Sequence, residues 1–148
     1  MLRFTYHFKH KRSLISYLCY PILRYYTIKY GYDIPYQTQI GPGFRLIHFG
    51  AIAINPLAVI GSNVTIFKDV TIGSNRRGKN QGSPTIGDGV FVGANASIIG
   101  NCKIGDNSMI APNSFVNFDV PANSLVIGNP GKIIPVDDAT LSYRDNFI

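Results

Sequence analysis

Apolar residues recur along this chain at every sixth position. One run of isoleucines begins at Ile54, and a second run begins at Ile86 after a gap. The ten positions in this register are Ile54, Ile60, Ile66, Ile72, Ile86, Val92, Ile98, Ile104, Ile110 and Val116. The next residue is usually Gly or Ala, and the fourth residue onward is usually small or β-branched. A period of six fits neither the 3.6-residue period of an α-helix nor the alternation of a long strand.

The six-residue period predicts a parallel β-helix, an all-β fold in which each hexad forms one of three faces of a coil. The aliphatic residue points inward, and the small residue four positions later fills the corner. Successive coils pair through their backbone groups, because an unpaired buried N–H or C=O is costly. Cys102 falls at such a corner position, so we expect a core residue rather than a nucleophile.

The charge is concentrated at the beginning of the chain. All eight acidic residues follow residue 32, whereas the preceding segment carries the whole net charge of +6. We predict that residues 1–32 form a basic, aromatic and partly helical segment. Its apolar stretch LISYLCYPIL is too short to span a bilayer, which takes ~20 residues. It could pack on the protein body or a neighbouring subunit, or contact a membrane surface. No recognition motif supports nucleic-acid binding.

A polar, basic insertion interrupts the repeat. Residues 73–85 form a predicted loop that carries Arg76, Arg77 and Lys79. An insertion in a solenoid maps to a loop on one face, often the working face, and these cations suit phosphates. The alternative is a tolerated surface loop. The predicted organisation is therefore an N-terminal segment 1–32, a β-helix 33–136 with this loop, and a C-terminal tail 137–148.

One histidine stands within the predicted β-helix. His48 lies fifteen residues after Asp33, and the other histidines, His7 and His10, lie in the basic segment. A three-histidine zinc site cannot be built from the coils alone, so we expect no metal site. A histidine supported by a carboxylate suits general-base catalysis. In a coil of ~18 residues, Asp33 would return close to His48. The alternative is a histidine that only fills a coil corner.

These motifs resemble the hexapeptide-repeat acyltransferases, whose fold is a left-handed parallel β-helix. The sequence D-I-P, then I-G-P-G, then a histidine followed by glycine is similar to the serine acetyltransferases. This resemblance implies acetyl-CoA as cosubstrate, catalysis by His48 and Asp33, no metal, and a CoA groove between the β-helices of a homotrimer. The cofactor-binding residues implied by position are Gly73, Ser74, Gly93, Ala94, Ala111 and Lys132.

Several positions depart from the serine acetyltransferase pattern. Ile47 replaces an acid before the catalytic histidine, and Gly82 and Ser83 replace an Arg-His pair in the loop. Only 32 residues precede Asp33, whereas that family has a large helical N-terminal domain. An ammonium group facing Ile47 would lose its hydration without gaining an ion pair. We therefore expect the loop residues Arg76, Arg77, Lys79 and Ser83 to bind another acceptor.

The expected activity is transfer of acetyl to a saccharide hydroxyl, as in short O-acetyltransferases of capsule or exopolysaccharide synthesis. The alternatives are serine O-acetylation and a non-catalytic trimeric scaffold. The acceptor would be a saccharide or a lipid-linked saccharide. Two cysteines without a C-x-x-C spacing favour a reducing compartment. The expected location is thus cytoplasmic, with membrane-surface contact through residues 1–30 at the inner face.

Overall fold

The computed structural model describes residues 14–137 and 139–143. A helix, α1, spans Leu14–Tyr30 and contains Pro21. The four cations that precede it in sequence lie outside the described residues, as do Asp138 and the tail from residue 144 onward. These cations are Arg3, Lys9, Lys11 and Arg12. The division of the chain into three segments stays a prediction.

Fifteen short strands follow the helix. The strands are β1 Tyr32–Asp33, β2 Gln39–Ile40, β3 Arg45–Ile47, β4 Ile52–Ile54, β5 Val59–Ile60, β6 Thr65–Phe67, β7 Thr71–Gly73, β8 Thr85–Ile86, β9 Phe91–Val92, β10 Ser97–Ile99, β11 Lys103–Ile104, β12 Met109–Ile110, β13 Phe115–Val116, β14 Ser124–Ile127 and β15 Lys132–Pro135.

The strands form three sheets, one for each face of a coil. Sheet A contains β1, β4, β7, β10 and β13; sheet B contains β2, β5, β8 and β11; sheet C contains β3, β6, β9, β12, β14 and β15. Every pair is parallel except β14 with β15, which close sheet C as an antiparallel hairpin. The chain visits the three sheets in turn, so consecutive coils stack. The predicted β-helix of hexapeptide repeats with a short helix before it is confirmed.

Coil length varies along the stack. Leu46 lies opposite Ile66, so the first coil takes 20 residues rather than 18. Ile86 lies opposite Ile104, and there the coil takes 18 residues. The expectation that Asp33 returns to His48 after one 18-residue coil is therefore wrong in register. Asp33 lies opposite Ala53, five residues beyond His48.

The repeating aliphatic residues form the core. Ile66, Ile72 and Ile98 are fully buried, and all ten hexad positions belong to one hydrophobic cluster. The small corner residues are buried between these rows. Cys102 is among them, and burial, followed by the nearby Asp119 carboxylate, raises the pKa of its thiol to about 11. The thiol therefore stays protonated at neutral pH and is a core group.

Asparagine and glycine shape the corners. Asn63, Asn95 and Asn113 have positive φ values of 56°, 60° and 61°. Asparagine tolerates this left-handed conformation better than most residues. Gly93 serves a different need, since a Cβ there would lie 2.7 Å from the backbone nitrogen of Pro112 in the next coil. The Gly and Asn residues of the repeat thus permit close stacking of the coils.

The end of the described chain folds back onto sheet C. A 3₁₀ turn spans Leu141–Tyr143. The Tyr143 ring lies 4.2 Å from that of Phe91, and Arg45 Nη2 donates to the Tyr143 carbonyl oxygen at 2.9 Å. This turn covers part of the outer face of sheet C.

We expect Ile98→Ala to lower the free energy of unfolding by about 2–5 kcal/mol, because it empties a filled position between two coils. Val59→Ala is the matched control, since Val59 is 38% exposed on the outer face of sheet B. Chemical denaturation measures both. Equal losses in the two variants would contradict a core formed by the hexad aliphatics.

Candidate active site

The turns that join sheet C to sheet A form one edge of the β-helix, here called the histidine edge. His48 lies in the first of these turns. Lys68 and Asp69 lie in the second, Gly93–Asn95 in the third and Ala111–Asn113 in the fourth. Hydrogen bonds join the levels: Ala51 N donates to Asp69 Oδ1 at 3.2 Å, and Asn95 N donates to the Lys68 carbonyl at 3.1 Å. The edge is a continuous column of turns.

His48 is exposed at the first level of this edge. It adopts a φ of 66°, a left-handed conformation that a non-glycine residue rarely takes. The Tyr32 hydroxyl donates to the His48 carbonyl oxygen at 3.3 Å, and the Phe67 ring meets the imidazole edge-on at 5.6 Å. The imidazole is therefore accessible to a substrate, unlike a histidine buried in the core.

Tyr32 is a contact that sequence reasoning missed. Partial burial, followed by its neighbour Tyr30, raises the pKa of Tyr32 above the usual value of 10.0. The hydroxyl therefore stays protonated at neutral pH and keeps its proton for the His48 carbonyl. No sequence signal distinguishes Tyr32 from the other tyrosines around it, because the contact depends on how α1 enters the first coil.

Asp33 lies on sheet A rather than in the histidine edge. It is exposed, and within the described residues no hydrogen bond or ion pair joins it to His48. It lines a cleft of about 220 Å³ between α1 and the first coil. The cleft is lined by Tyr20, Leu23, Arg24, Thr27, Asp33, Ile34, Pro35, Tyr36 and Gln37.

Three of the predicted cofactor residues share the histidine edge with His48. Gly93 donates its N–H to the Ile110 carbonyl at 2.8 Å, and Ala111 donates to the Val126 carbonyl at 2.8 Å. These two N–H groups are thus used by the coil-to-coil ladder. Ala94 lies between the levels and accepts from Asn113 N at 3.0 Å.

The insertion projects from a different edge, where sheet A turns into sheet B; we call this the loop edge. Asn55 joins its two ends, donating through Nδ2 to Ser74 Oγ and accepting from Ser83 Oγ, both at 3.1 Å. Farther along, the Asn80 carbonyl accepts from Asn101 N at 3.0 Å, and the Asn80 side chain donates to the Asn117 carbonyl. The loop is therefore fastened toward the later coils.

The structure thus divides the predicted site residues between two edges. Gly73 and Ser74 lie with the loop, whose Arg76, Arg77 and Lys79 are exposed. Lys132 lies on neither edge, because it begins β15 at the end of sheet C opposite Ile127. Among residues 14–137 and 139–143, no cluster of three or more His, Cys, Asp or Glu side chains could hold a metal ion.

Asp69 is a second residue that the sequence analysis did not single out. Its carboxylate accepts from Ala51 N, three residues beyond His48, and its Oδ2 lies 3.9 Å from Lys68 Nζ. A Cβ added at Gly50 would lie 2.9 Å from Asp69 Oδ1, so the carboxylate stands directly over the turn that carries His48. The six-residue register would have indicated this stacking, because Ile47 and Phe67 are partners.

Comparison with known proteins defines the class first. The family model "Bacterial transferase hexapeptide (six repeats)" matches residues 83–117. The chain therefore carries the hexapeptide repeat of bacterial transferases on a β-helix fold.

Similar proteins narrow the comparison to serine acetyltransferases. Serine acetyltransferase 4 of Arabidopsis thaliana is 43% identical over 105 residues, which are 71% of this chain and 30% of that protein. The serine acetyltransferase of Neisseria gonorrhoeae, solved in complex with serine, has a TM-score of 0.74 and 35% identity, covering 90% of this chain and 53% of that one. Another, solved in complex with CoA, has a TM-score of 0.74 and 27% identity, covering 90% and 53%. The chain spans between 30% and 59% of the length of the curated relatives it matches.

These similarities overturn the predicted saccharide acceptor. Each of the similar proteins and structures above is a serine acetyltransferase. The saccharide prediction relied on the missing charges at Ile47, Gly82 and Ser83. That reasoning considered only residues adjacent in sequence to the family motif, whereas a β-helix also brings together residues one coil apart.

Proposed function

We propose that this chain transfers acetyl from acetyl-CoA to the hydroxyl of serine. The observation that carries the proposal is the exposed His48, in a left-handed turn, on a β-helix similar to serine acetyltransferases. A non-glycine residue held in a sparsely populated backbone conformation is a reason to look for function. The similar structures solved with serine and with CoA support the two substrates.

The proposed reaction is direct attack within a ternary complex. His48 removes the proton from the serine hydroxyl as the oxygen attacks the thioester carbonyl. The carbon–sulfur bond breaks, and the CoA thiolate receives that proton from the imidazolium. The products are O-acetylserine and CoA. An exposed imidazole near its ordinary titration range can perform both transfers.

Asp33 is proposed to favour the imidazolium and to orient His48. Strand β1 lies within one side chain's length of the histidine, because the hydroxyl of the adjacent Tyr32 reaches the His48 carbonyl. The carboxylate is exposed and free to turn. A positioning role of this kind predicts a smaller loss for Asp33→Asn than for a variant that lacks the imidazole.

The assembly proposed for this activity is a homotrimer with acetyl-CoA bound between neighbouring β-helices. Within one chain His48 and the basic loop lie on two different edges of the coil. A groove between two copies would take the histidine edge from one chain and the loop edge from the next. Arg76, Arg77 and Lys79 would then face the phosphates of a CoA molecule whose thioester lies near His48.

The first test is release of free thiol from acetyl-CoA with serine as acceptor, for the wild type and His48→Asn. Asparagine accepts the left-handed backbone of this turn, so the fold should be retained while the base is lost. We expect kcat/KM to fall roughly 10²–10⁴-fold, the usual worth of a general base. Thermal unfolding of the variant is the control for folding.

Two results would contradict the proposal. A His48→Asn variant with nearly unchanged turnover would remove His48 as the base. A wild type that releases no thiol with serine, and whose melting temperature does not rise with acetyl-CoA, would indicate a non-catalytic β-helix. A ligand that binds the native state must stabilise it.

Mixing two inactive variants tests whether the site lies between copies. We expect His48→Asn and the triple variant Arg76→Ser/Arg77→Ser/Lys79→Ser each to be impaired. Co-refolding them should restore activity, because some interfaces then join an intact histidine edge to an intact loop. Activity measured against each variant refolded alone is the readout. No recovery in verified mixed oligomers would place all the groups of one site in a single chain.

Serine also requires a partner for its ammonium group, and Ile47 offers none. The Asp69 carboxylate stands over the His48 turn from the next coil. It is 44% exposed, so one oxygen can bind the ammonium while the other keeps Ala51 N. Asp69 is therefore proposed as a serine-binding residue.

Asp69→Asn should raise the KM for serine roughly 10- to 100-fold, since a hydrogen bond to a charged group is worth about 1.5–3 kcal/mol. The asparagine can still accept from Ala51 N and still suits the φ of 62° at this position. The KM for acetyl-CoA is the internal control. Equal changes in both KM values would point to a purely structural role for Asp69.

A further inference from the structure

Helix α1 buries only a narrow stripe against the β-helix. Cys19, Leu23, Thr27 and Tyr30 are half-buried, and they recur at the spacing of one helical face. The Tyr30 ring stacks on Phe49 at 4.7 Å, which ties the end of the helix to the His48 turn. The other described side chains of the helix are exposed.

The exposed surface of α1 is aromatic, aliphatic and cationic. At about 100° per residue, Pro21, Tyr25 and Ile28 fall opposite the buried stripe, with Arg24 and Lys29 on the two flanks. Tyr25 is 59% exposed and Ile28 is 67% exposed. Lys29 Nζ lies 5.6 Å from the centre of the Tyr25 ring and 5.5 Å from that of Tyr30. We call Pro21, Arg24, Tyr25, Ile28 and Lys29 the α1 outer face.

The charges of the protein indicate which partner fits this face. The helix contains no acid, and the sequence before it adds four more cations. The corner carboxylates of Asp69, Asp88, Asp106 and Asp119 accept hydrogen bonds from backbone N–H groups. A second copy docking here would therefore bring cations together without free acids to pair them.

We propose that the α1 outer face binds the surface of an anionic lipid bilayer. Tyrosine suits the headgroup region, where its ring is buried and its hydroxyl stays hydrated. Isoleucine adds apolar area, and Arg24 and Lys29 attract acidic headgroups. The helix would lie on the surface, since no helix within the described residues is long and apolar enough to span a bilayer. This proposal is independent of the acetyl acceptor.

Vesicle co-sedimentation of the full chain tests the proposal. The vesicles contain phosphatidylcholine alone or phosphatidylcholine mixed with phosphatidylglycerol, at low and at high salt. We expect binding to the mixed vesicles that weakens with salt. Arg24→Ser/Lys29→Ser should lower the partition coefficient about 30-fold, since each cation near an anionic surface is worth about 1 kcal/mol. Tyr25→Ser/Ile28→Ser should lower it about tenfold through lost apolar burial.

The matched control is Val59→Ser/Lys103→Ser. It removes one exposed aliphatic residue and one cation from the outer face of sheet B, where both belong to the same row of strand partners. This variant should bind vesicles like the wild type. Circular dichroism of all variants verifies that the fold is kept.

Three outcomes would overturn the proposal. Equal binding by the control and the α1 variants would assign any lipid affinity to net charge rather than to this face. Absence of vesicle binding, together with tight salt-sensitive binding of a single-stranded oligonucleotide, would make the partner a nucleic acid. Oligomers that dissociate in Tyr25→Ser/Ile28→Ser, without vesicle binding by the wild type, would make the partner a second copy.

Discussion

Backbone pairing between successive coils is the constraint on which this structure depends. Each coil donates to and accepts from the coils beside it, as when Gly61 donates to Ile86 and Gly87 donates to Ile104. A residue inserted into a strand would break this ladder along its whole length, so extra residues can leave only at a corner. The loop at residues 74–84 and the longer first coil both satisfy this condition. Chemistry in such a fold is confined to the edges.

The corner conformation explains why His48 is notable. On the same edge, Asn95 and Asn113 supply the left-handed backbone, and the Asn95 side chain donates to Asn113 Oδ1 at 2.7 Å. His48 occupies the corresponding turn of the first coil without joining that asparagine ladder. A non-glycine residue in a sparsely populated region costs of order 1–3 kcal/mol, less for a residue type that tolerates the left-handed region. The first turn of the edge therefore gives up a stabilising ladder contact and gains an accessible imidazole.

The sequence predicts the fold well because the period of six is a direct imprint of inward-facing positions. Ile72 and Ile98 could be assigned to one core row from spacing alone. The site was less predictable, since its contacts depend on coil length and on the path of α1. A first coil of 20 residues moves Asp33 away from its expected place, and Tyr32 reaches His48 instead. Which side chains stack one coil apart, as Asp69 does over Gly50, follows only after the register of every coil is known.

The helix and the proposed active site are mechanically linked. Tyr30 stacks on Phe49, and Tyr32 binds the His48 carbonyl, so the last turn of α1 and the His48 turn share contacts on both sides. A surface that fixes α1 would therefore also fix the orientation of the histidine edge. Because α1 packs through a narrow stripe, its position depends strongly on this aromatic contact. Binding at the α1 outer face would then reduce motion at the turn that carries the imidazole, and the two proposed functions of the chain would meet at Phe49.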